Sequence, residues 1–146
     1  MAVYNFQAQF VAPIQCGAKR HTIRKAGRGH ARVGGPVTLQ TGSRFKPRRL
    51  GTSVCTRVGW IALDFQRGEV RRLYHELARL PSFGVPLESP PDVDWGQTLV
   101  LVGRPGLNHF AQSDGFEDWE HMRLFWRKTH DADRFEGVII EWGEVV

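Results

Sequence analysis

The longest β-favouring run in the chain, TSVCTRVGWIALDF at residues 52–65, most limits what the chain can fold into. β-Branched and aromatic residues crowd it, and Gly59 is a point at which it could break. Shorter runs of the same kind lie on either side. VTLQ at 37–40 is β-branched and alternating, TLVLV at 98–102 reads as a buried strand, and FEGVIIEW at 135–142 closes the chain as another. Residues 3–12, VYNFQAQFVA, hold a short strand and then a helical turn. Residues 20–26 can form a strand with Thr22 and Arg24 on one face and Ile23 on the other.

Helical signals are fewer. EDWEHMRLFWRKTH at 117–130 is the clearest helix, with Trp119, Met122, Phe125 and Trp126 as its apolar stripe. Acidic residues stand at its start and basic ones at its end, as the helix dipole prefers. LNHFAQSD at 107–114 suits one or two helical turns, with Asn108 a candidate cap. EVRRLYHELARL at 69–80 has two readings. Its Leu73, Leu77 and Leu80 favour a helix, while EVRRLY could finish a hairpin begun before Arg67 and Gly68. GRGHARVGGP at 27–36 reads as a flexible basic loop, and SRFKPRRL at 43–50, broken by Pro47, as an exposed hairpin loop. Residues 81–96 carry Pro81, Pro86, Pro90 and Pro91 and read as a surface loop or insertion. A domain linker is rejected there because neither flank would make a well-filled domain alone. The length of 146 residues fits one domain with a real core. The order is mostly β with two or three helices, an α+β pattern that suits a small mixed sheet or closed barrel.

Charge is distributed unevenly. The first acidic residue is Asp64, and eleven Lys or Arg precede it; nine basic and fourteen acidic residues follow. Such a basic first half suits an anionic partner, nucleic acid foremost. No stretch approaches the roughly 18 apolar residues of a membrane span. The start, MAVYNFQAQFVAP, lacks the pattern of a signal peptide, so a cytoplasmic location is expected. Cys16 and Cys55 are expected to be free thiols. No CxxC, HExxH or zinc-spaced His/Cys set is present, so no metal or other cofactor is expected.

The segment GAKRHTIR, residues 17–24, concentrates the candidate chemistry. Lys19 and Thr22 can face one pocket if a strand begins near Thr22. A lysine there can neutralise a phosphate or, once desolvated, act as a general base. The threonine hydroxyl can be a nucleophile or a hydrogen-bond donor. Arg24 offers a planar fork to a phosphate or base edge. Against these stand plainer roles: a strand threonine, a surface arginine, a solvated lysine. Asp114 can cap the helix that follows or lend a carboxylate to the pocket.

The chain resembles the activating-signal-cointegrator homology (ASCH) family. The resemblance rests on GAKRHTIR at 17–24, similar to a G-x-K-x-x-T-x-R signature. It also rests on GTSVCTRVGWIAL at 51–63, and on FAQSDGFEDWEHMRLFW at 110–126 followed by FEGVIIEW. The Pro-rich residues 81–96 lie outside it and look specific to a subgroup. It implies a PUA-like fold, a small β-barrel with two or three flanking helices. It implies nucleic-acid binding, RNA before DNA, in a cleft beside that barrel. Some small members look like amidohydrolases of acylated cytidine, others like ribonucleases. Carried over by motif, Lys19 matches the lysine, Thr22 the threonine and Asp114 the acidic residue, an aspartate where those enzymes use glutamate. The arm is shorter by one methylene, and about 1 Å of misplacement is costly.

Two classes of function follow. As an RNA-binding module, Lys19, Arg20, Arg24, Lys25, Arg28, Arg32, Arg44, Lys46, Arg48 and Arg49 hold phosphates. His30 adds a switchable charge, and His21, Trp60 or Trp95 could stack on a base, with core packing the better role for Trp60. As a metal-independent hydrolase, either a ribonuclease or an amidohydrolase of a modified nucleoside, the catalytic group is Lys19, Thr22 and Asp114. Convergence of these three at hydrogen-bond range in a narrow pocket favours the enzyme. An open groove, with Asp114 turned away to cap the helix, favours binding alone. A protein-interaction role for the Pro-rich segment has no recognisable ligand motif behind it, and the sequence does not fix an oligomeric state.

Overall fold

The computed structural model describes residues 2–74 and 99–146. The expected Pro-rich loop at 81–96, Trp95 and the second half of the 69–80 helix reading lie outside the described residues. Strand β1 (Ala2–Phe6) leads through a 3-10 turn (Ala8–Phe10) into α1 (Val11–Gln15), then β2 (His21–Arg24), β3 (Pro36–Ser43), β4 (Lys46–Asp64) and β5 (Glu69–Tyr74). After these come β6 (Leu99–Val102), α2 (Arg104–Ser113), α3 (Trp119–His130) and β7 (Arg134–Trp142).

The long β-favouring run is the backbone of the whole sheet. The first half of β4 pairs antiparallel with β3, which pairs in parallel with β1. Its second half lies between β5 and β7, both antiparallel to it, and β5 pairs onward to β6 while β7 pairs onward to β2. One strand serves both groups because its register shifts twice, opposite Leu39/Gln40 and between Cys55 and Arg57. Such bulges bend a strand and strengthen its twist. Gly51 lies in this stretch, where an added Cβ would meet Val145 Cγ1 at 2.5 Å. The C-terminal residues run beside it, with Thr52 and Val146 exchanging backbone hydrogen bonds of 3.0 and 2.8 Å.

The expected closed β-barrel is corrected by this topology. Among the described residues, β1 pairs only with β3, β2 only with β7 and β6 only with β5, so the sheet stays open. Between the edges of β1 and β2 a side chain does what a ladder would do in a barrel: Arg24 Nη2 donates to the Asn5 carbonyl at 2.9 Å. The fold is mixed α+β.

Both faces of the sheet centre are covered. Trp60 and Ile61 on β4, and Val138, Ile139 and Ile140 on β7, are all fully buried, a continuous run where a one-sided sheet would alternate. Each such side chain contributes about 1.5–3 kcal/mol by leaving water. Helix α3 packs by the stripe read from its sequence. Trp119 and Trp126 lie 4.8 and 6.2 Å from the Phe65 ring, and Trp126 is 4.7 Å from Phe135. Its N-cap is Asp118, whose side chain accepts from the His121 backbone N–H at 2.8 Å.

Three local expectations change. Residues 69–74 are strand, so the hairpin reading of EVRRLY holds over the helix for that part. SRFKPRRL is not a loop beyond its tip, because β4 begins at Lys46 and pairs with β3 as far as Ser43. Asn108 does not cap α2, which starts earlier at Arg104; its Oδ1 accepts from Trp119 N–H at 3.0 Å and secures the start of α3. Both cysteines are free, Cys16 exposed and Cys55 buried. No helix of the described residues is long and apolar enough to cross a membrane.

Candidate active site

The segment GAKRHTIR is held by backbone before any side chain acts. Gly17, at φ 81°, turns the chain out of α1. Lys19 N–H donates to the Pro13 carbonyl at 2.9 Å and Arg20 N–H to the Ser113 carbonyl at 3.0 Å. Residues 17–20 are thereby pinned between α1 and the end of α2, and β2 starts immediately after.

That pinning drives Lys19 inward. It is 2% exposed, and its Nζ donates to Asp114 Oδ1 at 2.8 Å and to the Asp114 carbonyl oxygen at 2.6 Å. Asp114 is the C-terminal cap residue of α2, so the ammonium meets the negative end of a helix as well as a carboxylate. The Phe10 and Phe6 ring centres lie 4.9 and 5.5 Å from Nζ and add cation–π attraction. Gly115 is required here on two counts. Its φ is 93°, and a Cβ would come within 3.0 Å of Lys19 Cδ and of Phe10 Cδ1.

Burial weakens the charge of both partners. Desolvation pulls the Lys19 ammonium below its ordinary value, against the pull of Asp114 in the other direction. Desolvation likewise raises the Asp114 carboxyl, and Lys19 opposes it. The pair therefore lies closer to the neutral amine and neutral acid than a solvated pair would.

Thr22 and Arg24 share a face of β2, as their spacing implies. Arg24 Nε donates to Thr22 Oγ1 at 3.1 Å, and the guanidinium lies 5.0 Å from the Phe6 ring centre and 5.5 Å from that of Tyr4. Lys19, Thr22, Arg24 and Asp114 all line one cavity of about 160 Å3. Phe6, Phe10, Phe116, Phe125 and Trp126 make its aromatic walls, with His130 and Asn5 among its polar lining. Drug-sized ligands occupy roughly 300–1,000 Å3, so this space suits a single ring or acyl group.

The remaining sequence candidates are scattered. Arg20 is exposed and ties its Nε to the Gly17 carbonyl at 2.8 Å. Lys25, Arg28 and Arg32 lie exposed along the loop after β2, and Arg44, Lys46, Arg48 and Arg49 lie exposed on the β3–β4 hairpin. His30 is engaged within the loop, its Nδ1 3.1 Å from Tyr4 Oη and its Nε2 2.8 Å from the Lys25 carbonyl. His21 is not placed to stack on a base: it is 2% exposed and stacked on Phe110 at 5.1 Å. Trp60 is fully buried in the core. Asp114 turns into the cavity, and Asp118 takes the helix-capping role. Sequence reasoning missed the aromatic walls, Gly115 and the buried setting of His21. Only His21 carried a signal, since strand alternation sets it opposite Thr22. No group of three or more metal-ligating side chains occurs among the described residues.

No family model, no curated protein and no solved structure matches the chain.

Proposed function

We propose that the chain is a hydrolase of the kind its resemblance to the ASCH family implies, cleaving the acyl amide of a cytidine-type nucleoside at Lys19, Thr22 and Asp114. One observation carries this reading: a lysine 2% exposed, bonded to a buried aspartate, shares a small aromatic cavity with a threonine. A polymer phosphate has no access to such an ammonium. A buried ion pair is also a poor device for stability, since desolvation offsets much of its attraction.

The chemistry assigns each group a task. Burial favours the neutral amine of Lys19, which takes a proton from the Thr22 hydroxyl or from a water as that oxygen attacks the acyl carbon. Asp114 orients the amine. Arg24 spends two N–H groups on Thr22 and Asn5 and retains three for the developing oxyanion. Lys19 then returns its proton to the departing exocyclic amine, leaving cytidine and a carboxylic acid; attack by Thr22 adds hydrolysis of its ester. The aromatic walls exclude bulk water and accept a flat base.

The test is incubation of the purified protein, with and without EDTA, with N4-acetylcytidine, labelled RNA and single-stranded DNA. Deacylation lost in Lys19→Ala supports the proposal. Intact N4-acetylcytidine alongside cut RNA would replace it with the ribonuclease reading.

A second reading has its own support. Arg44, Lys46, Arg48 and Arg49 are exposed on one hairpin with Phe45, which is 89% exposed at its tip. Cations beside an exposed ring suit single-stranded RNA, through phosphate contacts and base stacking. The hairpin root adjoins the cavity, for Asn5 lines it and donates from Nδ2 to the Gly42 carbonyl at 3.3 Å.

A further inference from the structure

Asp114 Oδ1 has two nitrogen atoms facing it. Lys19 Nζ bonds it at 2.8 Å, and His21 Nε2 lies 3.4 Å away. That His21 nitrogen is buried and has no hydrogen-bond partner. A buried polar atom without a partner is costly, and native structures seldom retain one without a use. The ring is stacked on Phe110, with centres 5.1 Å and planes 25° apart. Phe110 is itself fully buried, with the Arg72 guanidinium 4.6 Å from its ring centre.

We infer that His21 is a positioning residue for the Lys19–Asp114 pair, its Nε2–H taking over Asp114 Oδ1 when Lys19 turns its amine to the substrate. This rests on the hydrolase reading above. The hand-over solves a specific difficulty. For Lys19 to act as a base its amine must leave Oδ1, and the carboxylate it leaves would be buried without a donor. Catalytic hydrogen bonds are often long in the free enzyme and tighten in the substrate complex, which is how a 3.4 Å separation becomes a bond. His21 keeps its proton throughout. The proton in transit moves between the nucleophile, Lys19 and the leaving amine.

The neutral ring is the form this role needs. Burial, and after it the charges of Lys19 and Arg72, hold His21 well below its ordinary value. Charged groups reach this cluster from three elements: Lys19 leading into β2 and Arg24 within it, Arg72 on β5, and Asp114 at the end of α2. A neutral imidazole donates one N–H without adding another cation beside Lys19.

The experiment compares the wild type with His21→Phe, which keeps a ring against Phe110 and removes the donor, and His21→Gln, which returns an N–H near the same place. Steady-state kinetics on N4-acetylcytidine are read beside a 13C NMR titration of the Asp114 carboxyl. His21→Phe is expected to lower kcat about ten- to a hundredfold, the weight of one hydrogen bond to a charged group, with KM unchanged. His21→Gln is expected to recover most of it. The Asp114 carboxyl should titrate higher in the Phe variant. His21→Leu replaces His21→Phe if that variant does not fold. A folded donor-less variant with wild-type kcat and wild-type Asp114 titration overturns the inference. If Lys19→Ala is as active as the wild type, the hydrolase reading fails instead, and an unshifted Asp114 titration then removes His21 from the pair as well.

Discussion

Lys19 and Asp114 are 95 residues apart in the chain, yet Lys19 Nζ bonds both the carboxylate and the backbone carbonyl of Asp114. The pair joins the segment before β2 to the end of α2 and buries both side chains. Its thermodynamic cost can be measured. Lys19→Met removes the cation from a buried carboxylate and is expected to destabilise the fold by about 3–5 kcal/mol. The double variant Lys19→Met with Asp114→Leu is expected to recover most of that loss, since apolar pairs often replace buried ion pairs without penalty. Urea unfolding of both variants checks this. A double variant no more stable than the single one would mean that the pair is irreplaceable packing.

The same pair should give stability a distinctive dependence on pH. Asp114 has a raised value in the fold, so between its ordinary 3.8 and its folded value the native state binds more protons than the unfolded chain. Stability from this group is full at low pH and falls as pH rises through that window. Lys19 is lowered, so between its folded value and its ordinary 10.5 the unfolded chain binds more protons, and stability rises with pH there. The Met/Leu double variant is expected to lose both limbs. Identical pH profiles for double variant and wild type, measured by urea midpoint, contradict the burial assigned to the pair.

How much of this was legible beforehand differs from residue to residue. The α3 stripe of Trp119, Met122 and Trp126 has the helix period, and β7 carries an unbroken apolar run at Val138, Ile139 and Ile140 because both its faces are covered there. Local pattern was sufficient for these. Barrel closure is a property of edges, and no local pattern says whether β1 and β2 share a ladder or an arginine side chain. Pro47 misled in another way. A proline among four cations reads as a loop, but beyond Thr41 the hairpin has no third strand among the described residues, and a missing N–H on an outer edge costs little. At the site, Thr22 and Arg24 follow strand alternation and were visible as a pair. For Asp114 the residues alone left a cap and a pocket carboxylate both open, because nothing local to DGFED specifies a lysine 95 residues away.

Thr22 separates two forms of the hydrolase reading. If its Oγ1 attacks the acyl carbon, Thr22→Ser should retain activity within about tenfold. Thr22→Ala should lose roughly a hundredfold or more in kcat. If water is the nucleophile, Thr22→Ala should fall only modestly and no acyl-enzyme should form. Rapid-quench mass spectrometry on N4-acetylcytidine distinguishes the two through a 42 Da adduct, about the mass an acetyl group adds in covalent catalysis.

The hairpin predicts a salt dependence that does not involve the cavity. Each phosphate contact on a single strand contributes about 0.7 to the slope of log affinity against log salt. Replacing Arg48 and Arg49 by alanine is expected to reduce that slope by about 1.4 for single-stranded RNA. Phe45→Ala should weaken binding without changing the slope, because stacking releases no counterion. Fluorescence anisotropy at several salt concentrations reads both quantities. A slope unaffected by loss of both arginines would remove the hairpin from the RNA reading.

The two thiols should differ in reactivity. Cys55 is 1% exposed, and burial pushes its thiol up to about 11, so almost none is thiolate near neutral pH. Its Sγ also lies 3.5 Å from the Arg57 carbonyl, at the bulge where β4 shifts register against β7. Cys16 is exposed at the end of α1. A thiol reagent at pH 8 is therefore expected to label Cys16 quickly in the native protein and to reach Cys55 only on unfolding. The labelling rate of Cys55 would then report the opening of the β4 bulge. Fast native labelling of both thiols would mean that this part of the sheet opens far more readily than its burial implies.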